Sequence, residues 1–355
     1  MMGWRLAEGE VRMQRLRWGV LGVGRFGRIH ARALRSLPGV ELAALCNRNP
    51  ERLAAAAAEF PGVPAYADYR QFLGEARVDV VSITTHVRDH LPAALAALEA
   101  GRHVLLEKPL AGTRRECELL LAAAAQSPGL FMVGHVCRFD PRFSLAKRAV
   151  EEGRVGRIVS LHAKRNLPQA PGHIRLDKIS PLMGDGIHDA DLMMWFLGRP
   201  PTRVYGRTVR FGQHTYPDVG WAMLEFGDEA IGVIETNWGL PPNTPTVIDA
   251  RMEVAGTDGM LTIDCSNTGL TVLDQHGPKM LDTDYWPEQH GTLVGALVNE
   301  LAYFAGCVRR GEKPSVVTPS EAARAVMVIE AAEESAVRGQ PIDVPPPEDA
   351  NRPAP

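Results

Sequence analysis

Cysteine is scarce in this chain: five in 355 residues, at positions 46, 117, 137, 265 and 307. No Cys-x-x-Cys pair is present, so neither a zinc knuckle nor a redox dithiol is expected. The five read as small buried thiols of a reducing compartment. Neither sign of charge dominates, since 39 basic residues against 42 acidic ones leave −3. That balance offers no broad attraction to polyanions, and no nucleic-acid partner is expected. Long apolar runs are missing too, none approaching the ~18–20 residues that cross a bilayer. Residues 1–16 carry scattered charges and no apolar centre, so they read as an extension and not as a signal peptide. With no membrane partner expected, the cytoplasm is the default location. The histidines lack His-Glu-x-x-His spacing, no Asp/Glu/His cluster reads as a metal site, and there is no Gly-x-Ser-x-Gly elbow. No metal is therefore expected, and metal hydrolysis and acyl transfer fall behind other chemistries.

What is present is an ordinary globular composition, 45% hydrophobic and 23% charged, long enough for two cores. Over 17–140, short β-branched runs alternate with Ala/Leu-rich helical stretches. Strands are expected at 18–24, 40–47, 78–84, 103–108 and 130–135, with helices at 25–37, 50–60, 89–101 and 113–126. This is the rhythm of an α/β fold with an open parallel sheet covered on both faces. Over 141–345 the rhythm changes. A helix (141–153) leads into longer strands at 157–166, 202–211, 219–227, 230–239, 247–256, 259–265 and 270–275. Links as short as Gly227-Asp228-Glu229 and Thr257-Asp258-Gly259 imply a mostly antiparallel sheet. Two helices (about 292–310 and 319–338) close this second α/β domain, and 346–355 reads as a disordered tail.

Four motifs carry chemistry. Gly22-Val23-Gly24-Arg25-Phe26-Gly27 joins the first strand to the first helix, where glycines permit a tight turn, close approach of a pyrophosphate, and helix–strand packing. Free N–H groups at the positive end of the helix dipole would hold the phosphates. At the end of the second strand, where a carboxylate would normally bind the adenosine ribose, stand Asn47 and Arg48. Nothing there repels a 2′-phosphate, and Arg48, with Arg52 a turn later, could pair with one. NADP is thereby favoured slightly over NAD. Lys108, between Glu107 and Pro109, ends a parallel strand at the edge where such sheets bind ligands. Pro109 holds its backbone extended and could itself be cis, aiming an ammonium into the crevice. Finally, His188 falls in the first turns of a helix, between Asp185 and Asp191. Such an imidazole is suited to take a hydroxyl proton.

Taken in order, GVGRFG (22–27), CNRNPERLA (46–54), VDVVSITT (78–85) with His90, GRHVLLEKPLA (101–111), GHVCRFDPRF (134–143) and GDGIHDADLMMWFLG (184–198) resemble the Gfo/Idh/MocA oxidoreductases over about 17–340. The resemblance implies a Rossmann domain followed by an α/β domain whose open sheet covers the nicotinamide and often forms a homodimer or homotetramer interface. It implies Lys108 in positioning substrate and nicotinamide, and His188 in acid/base work. Gly22, Gly24 and Gly27, flanking Arg25 and Phe26, would hold the pyrophosphate, and Thr84, Thr85 and Glu107 would lie along the cofactor. The expected substrate is a polyol, sugar or nucleotide-linked sugar. The basic groups Lys164, Arg165, Arg175 and Lys178 could serve a phosphate or be rim charges. Many members have Asp four residues before the helical His, where this chain has Gly184; Asp185 is its candidate substitute. An NAD(P)-dependent dehydrogenase or reductase is the expectation, with an NAD-retaining glycosidase of the same fold or a non-catalytic NAD(P)-binding regulator as alternatives.

Overall fold

Hydrophobic runs buried on both faces set the first sheet. The computed structural model describes residues 15–345, so nearly all of the 1–16 extension and the 346–355 tail lie outside it. Its first half is β1 (Leu16–Leu21), α1 (Arg25–Ser36), β2 (Val40–Cys46), α2 (Pro50–Glu59), β3 (Ala65–Tyr66), α3 (Tyr69–Glu75), β4 (Val80–Ile83), α4 (His90–Glu99), β5 (His103–Glu107), α5 (Arg114–Gln126) and β6 (Phe131–Gly134). The strands pair in parallel in the order β3-β2-β1-β4-β5-β6. All four residues of β4 are buried, as expected of a strand covered on both faces. The helices start where their caps dictate. Asn49 accepts from the Arg52 N–H ahead of Pro50, and Thr113 accepts from Glu116. Because the order reverses between β1 and β4, their carboxyl ends open a crevice there.

The second half is α6 (Pro141–Glu151), β7 (Ile158–Asn166), α7 (Gln169–His173), α8 (Ile187–Leu197), β8 (Arg203–Val209), β9 (Val219–Phe226), β10 (Ala230–Asn237), β11 (Asp249–Gly256), β12 (Met260–Asp264), α9 (Ala296–Arg310) and α10 (Pro319–Arg338). Its sheet runs β12-β11-β7-β10-β9-β8, closed by the short strand Ile342–Asp343. Every pairing is antiparallel except β7 with β10, so the open sheet is mostly antiparallel as expected. Helices α8 and α10 cover one face. On the other, Trp221, Met223 and Ile231 are exposed. α9 and α10 pack back onto the first half, Phe304 of α9 meeting the buried Trp18 edge-on at 5.9 Å, so a single apolar core runs through both sheets.

Three local differences from the sequence reading have simple causes. The stretch 61–77 contains a two-residue strand and a short helix, α3, started by the Asp68 side chain, which accepts from Arg70 and Gln71 N–H groups. Both are too short to show periodicity. The expected strand at 270–275 pairs with Gly277–Met280 in a separate hairpin and never joins the large sheet. Residues 271–274 are all exposed, giving them no buried face to align. α9 begins at Ala296 and not at 292, because Gly295 adopts φ 95°, which no helix continues through.

Candidate active site

At the end of β1, Gly22 has φ 105°, in the region that glycine alone enters freely. A Cβ there would stand 2.8 Å from the Thr84 carbonyl carbon and the Thr85 nitrogen. On Gly27, a Cβ would lie 2.4 Å from the Gly22 oxygen and 2.6 Å from Thr84 Oγ1, so α1 meets the turn closely only as glycine. Around Gly24 the space is open, the nearest atom to such a carbon being 3.9 Å away. Gly24 caps α1 with no side-chain bond, which leaves the first N–H groups to an anion. Arg25 is exposed, and the ring of Phe26 sits edge-on to His30 at 4.8 Å and Trp286 at 5.3 Å. Thr84 Oγ1 donates to the Gly22 carbonyl at 3.0 Å, whereas Thr85 Oγ1 is buried with no partner. A tight glycine cradle, an open helix end and an orphaned hydroxyl together fit a dinucleotide.

Asn47 and Arg48 follow β2. Asn47 Oδ1 accepts from the Asn49 N–H at 3.0 Å, and Arg48 pairs with Asp89 at 3.1 Å on the surface. β5 delivers Glu107 and Lys108 to the same edge. The buried Glu107 lies 3.1 Å from His30 Nε2, and the Lys108–Pro109 peptide is cis. Beside Glu107 sits Glu300 of α9, wholly buried with both carboxylate oxygens unpartnered. Burial first, then Glu107, holds the Glu300 carboxyl well above the usual range.

Lys108 Nζ donates to the Gly184 carbonyl, reaching from the first sheet into the segment that starts α8. Burial lowers its pKa, and Asp185 nearby opposes the shift. A π-type turn, Leu182–Gly186, runs directly into α8, which carries His188 one residue past its start. The His188 ring is buried, with Nδ1 3.6 Å from Cys137 Sγ, and lies nearly perpendicular to the His135 ring at 6.3 Å between centroids. Burial, then the charges of Lys108 and Arg165, holds this imidazole well below the ordinary histidine range. It is therefore neutral near pH 7. Burial also pushes the Cys137 thiol up to about 12, so the sulfur keeps its proton.

The carboxylates around His188 are each committed. Asp185 Oδ2 accepts from Trp238 Nε1 at 2.8 Å and lies 3.6 Å from Arg175, whose guanidinium stacks over the Trp238 ring. Asp189 takes two bonds from Arg165, at 2.8 and 3.2 Å, and Asp191 takes two from Arg138, at 2.7 and 2.9 Å. Lys108, Asp185 and His188 thus share one locality. Arg165 is 3% exposed and bonded to Asp189, while Asn47 and Arg48 lie apart at the β2 end of the crevice.

Residues 16–135 match the model of the oxidoreductase family with an NAD-binding Rossmann fold, and residues 143–262 match the GFO/IDH/MocA C-terminal domain. Inositol 2-dehydrogenase 2 of Saccharopolyspora erythraea is 32% identical over 276 residues, 75% of either chain. The chain belongs to the Gfo/Idh/MocA oxidoreductase family. It is similar as well to UDP-N-acetylglucosamine 3-dehydrogenase of Acidithiobacillus ferrooxidans, at 34% identity over 54% of this chain and 58% of that one. Among solved structures, an oxidoreductase domain protein from Kribbella flavida superposes with a TM-score of 0.80 at 27% identity, covering 94% of this chain and 100% of that one. This Gfo/Idh/MocA member departs from the expected Asp at Gly184 for a steric reason. A Cβ at 184 would lie 2.5 Å from the Trp238 ring, which is wholly buried. Trp238 fills the space of the absent side chain and bonds Asp185 instead. Sequence reasoning missed Trp238, Cys137 and Glu300 as members of this site. Trp238 lies 53 positions from Asp185, and neither spacing nor residue type announces such a contact.

Proposed function

We propose that this Gfo/Idh/MocA protein is an NAD(P)-dependent dehydrogenase or reductase of a carbinol in a sugar- or inositol-like substrate. The observation that carries the reading is the Lys108 ammonium, which crosses to the Gly184 carbonyl one turn before the neutral His188. A nicotinamide, when bound, supplies the acceptor or donor of hydride. The chain supplies the rest. With hydrogen on Nδ1, beside the Cys137 sulfur, His188 Nε2 presents a lone pair that takes the substrate hydroxyl proton during oxidation and returns it during reduction. The Lys108 ammonium donates to the same oxygen and stabilises its developing negative charge. Asp185, fixed by Trp238, keeps an opposing charge near Lys108 and so supports its protonated form.

The substrate class draws on the relatives, which include an inositol dehydrogenase and a UDP-sugar dehydrogenase. A free sugar or inositol is preferred over a nucleotide-linked one, because three of the four basic groups near the site are already paired, which leaves the exposed Lys178. Lys164 pairs with Asp249 at 2.8 Å, Arg165 with Asp189, and Arg175 lies against Asp185. A second copy of the chain fits the sheet face that exposes Trp221, Met223 and Ile231. Among the described residues no helix is long and apolar enough to cross a membrane.

A panel of free and nucleotide-linked sugars and inositols, followed at the nicotinamide absorbance with both cofactors, tests the reading. With a substrate in hand, Lys108→Ala is expected to lower kcat by about 10²–10³-fold, the scale of a lost oxyanion donor, while cofactor still binds. Turnover near that of the wild type would overturn the assignment of Lys108.

A further inference from the structure

Behind Trp238, on the side of α7, three potential metal ligands converge that no sequence motif links. One ligand atom from each of His173, His214 and Asp218 lies within 4.8 Å of the other two. Asp218, wholly buried, directly precedes β9. Its Oδ2 accepts the N–H groups of Phe211 and Gly212 at 2.8 and 2.9 Å, which fixes the carboxylate. Its Oδ1 is buried with no partner, and so is His173 Nε2, 4.0 Å away. The His214 ring stands 4.7 Å from that of His173. Its Nδ1 lies 3.7 Å from Asp177 Oδ1, an ion-pair distance and longer than a direct hydrogen bond.

We propose that His173, His214 and Asp218 bind a divalent transition-metal ion of the zinc class. Two orphaned, buried polar atoms facing one another carry a cost that a shared cation removes. Two imidazoles and one carboxylate suit Zn²⁺ and its neighbours, whereas Mg²⁺ and Ca²⁺ take oxygen sets. Ligands at about 2.0–2.2 Å on a tetrahedral ion stand roughly 3.4 Å apart, so side-chain rotations of about 1 Å close the set. Asp177, 3.7 Å from His214 Nδ1, stands where the same small rotations would make it the outer carboxylate that orients a ligating imidazole. Three protein ligands leave one position to water. The ion ties α7 to the loop between β8 and β9. Gly172, next to His173, lies against the Trp238 backbone, where a Cβ would come within 2.5 Å of the Trp238 oxygen. The Trp238 N–H is bonded to the Asp218 carbonyl at 2.9 Å. The metal is thus a clamp on the wall that holds Asp185, and it stands independently of the hydride-transfer reading.

The test uses the full-length protein, stripped with a chelator and titrated with Co²⁺ and then Zn²⁺. The expected result is one Co²⁺ per chain, seen as visible d–d absorption, displaced by Zn²⁺, with a melting temperature that rises with metal concentration. His173→Gln and His214→Gln should each weaken binding at least about tenfold, and Asp177→Asn should weaken it by about tenfold through the outer shell. Melting curves of the stripped variants, compared with the stripped wild type, show that each is folded. Absence of saturable Co²⁺ and Zn²⁺ binding would overturn the proposal. So would binding that survives in both histidine variants, which would place the ion elsewhere.

Discussion

Replacing Asp189 by asparagine keeps its shape and removes its charge, which isolates what that charge does beside His188. In the wild type, Arg165 is 3% exposed and Asp189 1%, joined by two bonds of 2.8 and 3.2 Å. Without the carboxylate, a buried guanidinium is left unpaired, at a cost of about 3–5 kcal/mol. Unfolding entropy of about 2.1 cal/mol/K per residue over the roughly 330 residues that share one core is about 0.7 kcal/mol/K. The melting temperature should then fall by about 4–7 °C. A second consequence is electrostatic. Arg165 is already among the charges that hold the His188 pKa down, and losing its partner lowers that pKa further. The acid limb of the oxidation rate should therefore move to lower pH, which a merely structural role for the pair would not produce. The double variant Arg165→Met with Asp189→Leu removes both charges and should recover most of the lost stability. Differential scanning calorimetry gives the first readout and a pH–rate profile the second. A single variant that melts within about 2 °C of the wild type would refute the reasoning, since the unpaired-charge penalty would then be absent.

Three further outcomes are expected. Gly27→Ala drives a Cβ to 2.4 Å from the Gly22 oxygen; an overpacking cost of about 1–3 kcal/mol should lower the melting temperature of the cofactor-free protein in scanning calorimetry, and an unchanged value would contradict the contact. With His188 held neutral by burial and by Lys108 and Arg165, its protonation falls below the ordinary pKa. Oxidation should then stay constant through pH 6.5 and decline only in more acid solution, and an acid limb centred at or above 6.5 would contradict this. Arg48 is paired with Asp89 on the surface. Removing it as Arg48→Ala should cost NADP about 1.5–3 kcal/mol in kcat/KM and leave NAD nearly untouched if it meets a 2′-phosphate, while equal effects on both cofactors would show that it does not.

Much of the fold could be read from local pattern. Buried runs such as Val80–Ile83 alternate with amphipathic helices, and that period alone calls for a parallel sheet with helices on both faces. The glycines at 22 and 27 were legible for the same reason, because a tight turn and a close helix leave a mark in residue type at fixed spacing. Lys108 and His188 were legible as motifs, and the resemblance, not their spacing, implied that they serve one substrate. The hairpin at 271–280 was misplaced in the large sheet because strand propensity says nothing about which partner a strand finds.

The chain by itself determined its elements, its glycine cradle and its family, since these depend on neighbours a few positions apart along the backbone. Only the tertiary structure decided who pairs with whom: Arg165 with Asp189, Trp238 against Gly184 and onto Asp185, His173 beside Asp218. Those contacts join residues separated by 24 to 54 positions, brought together by packing of the second sheet against α7 and α8. Burial there turns ordinary polar side chains into committed pairs, because an ionic or hydrogen-bonding group removed from water must find its partner within the protein.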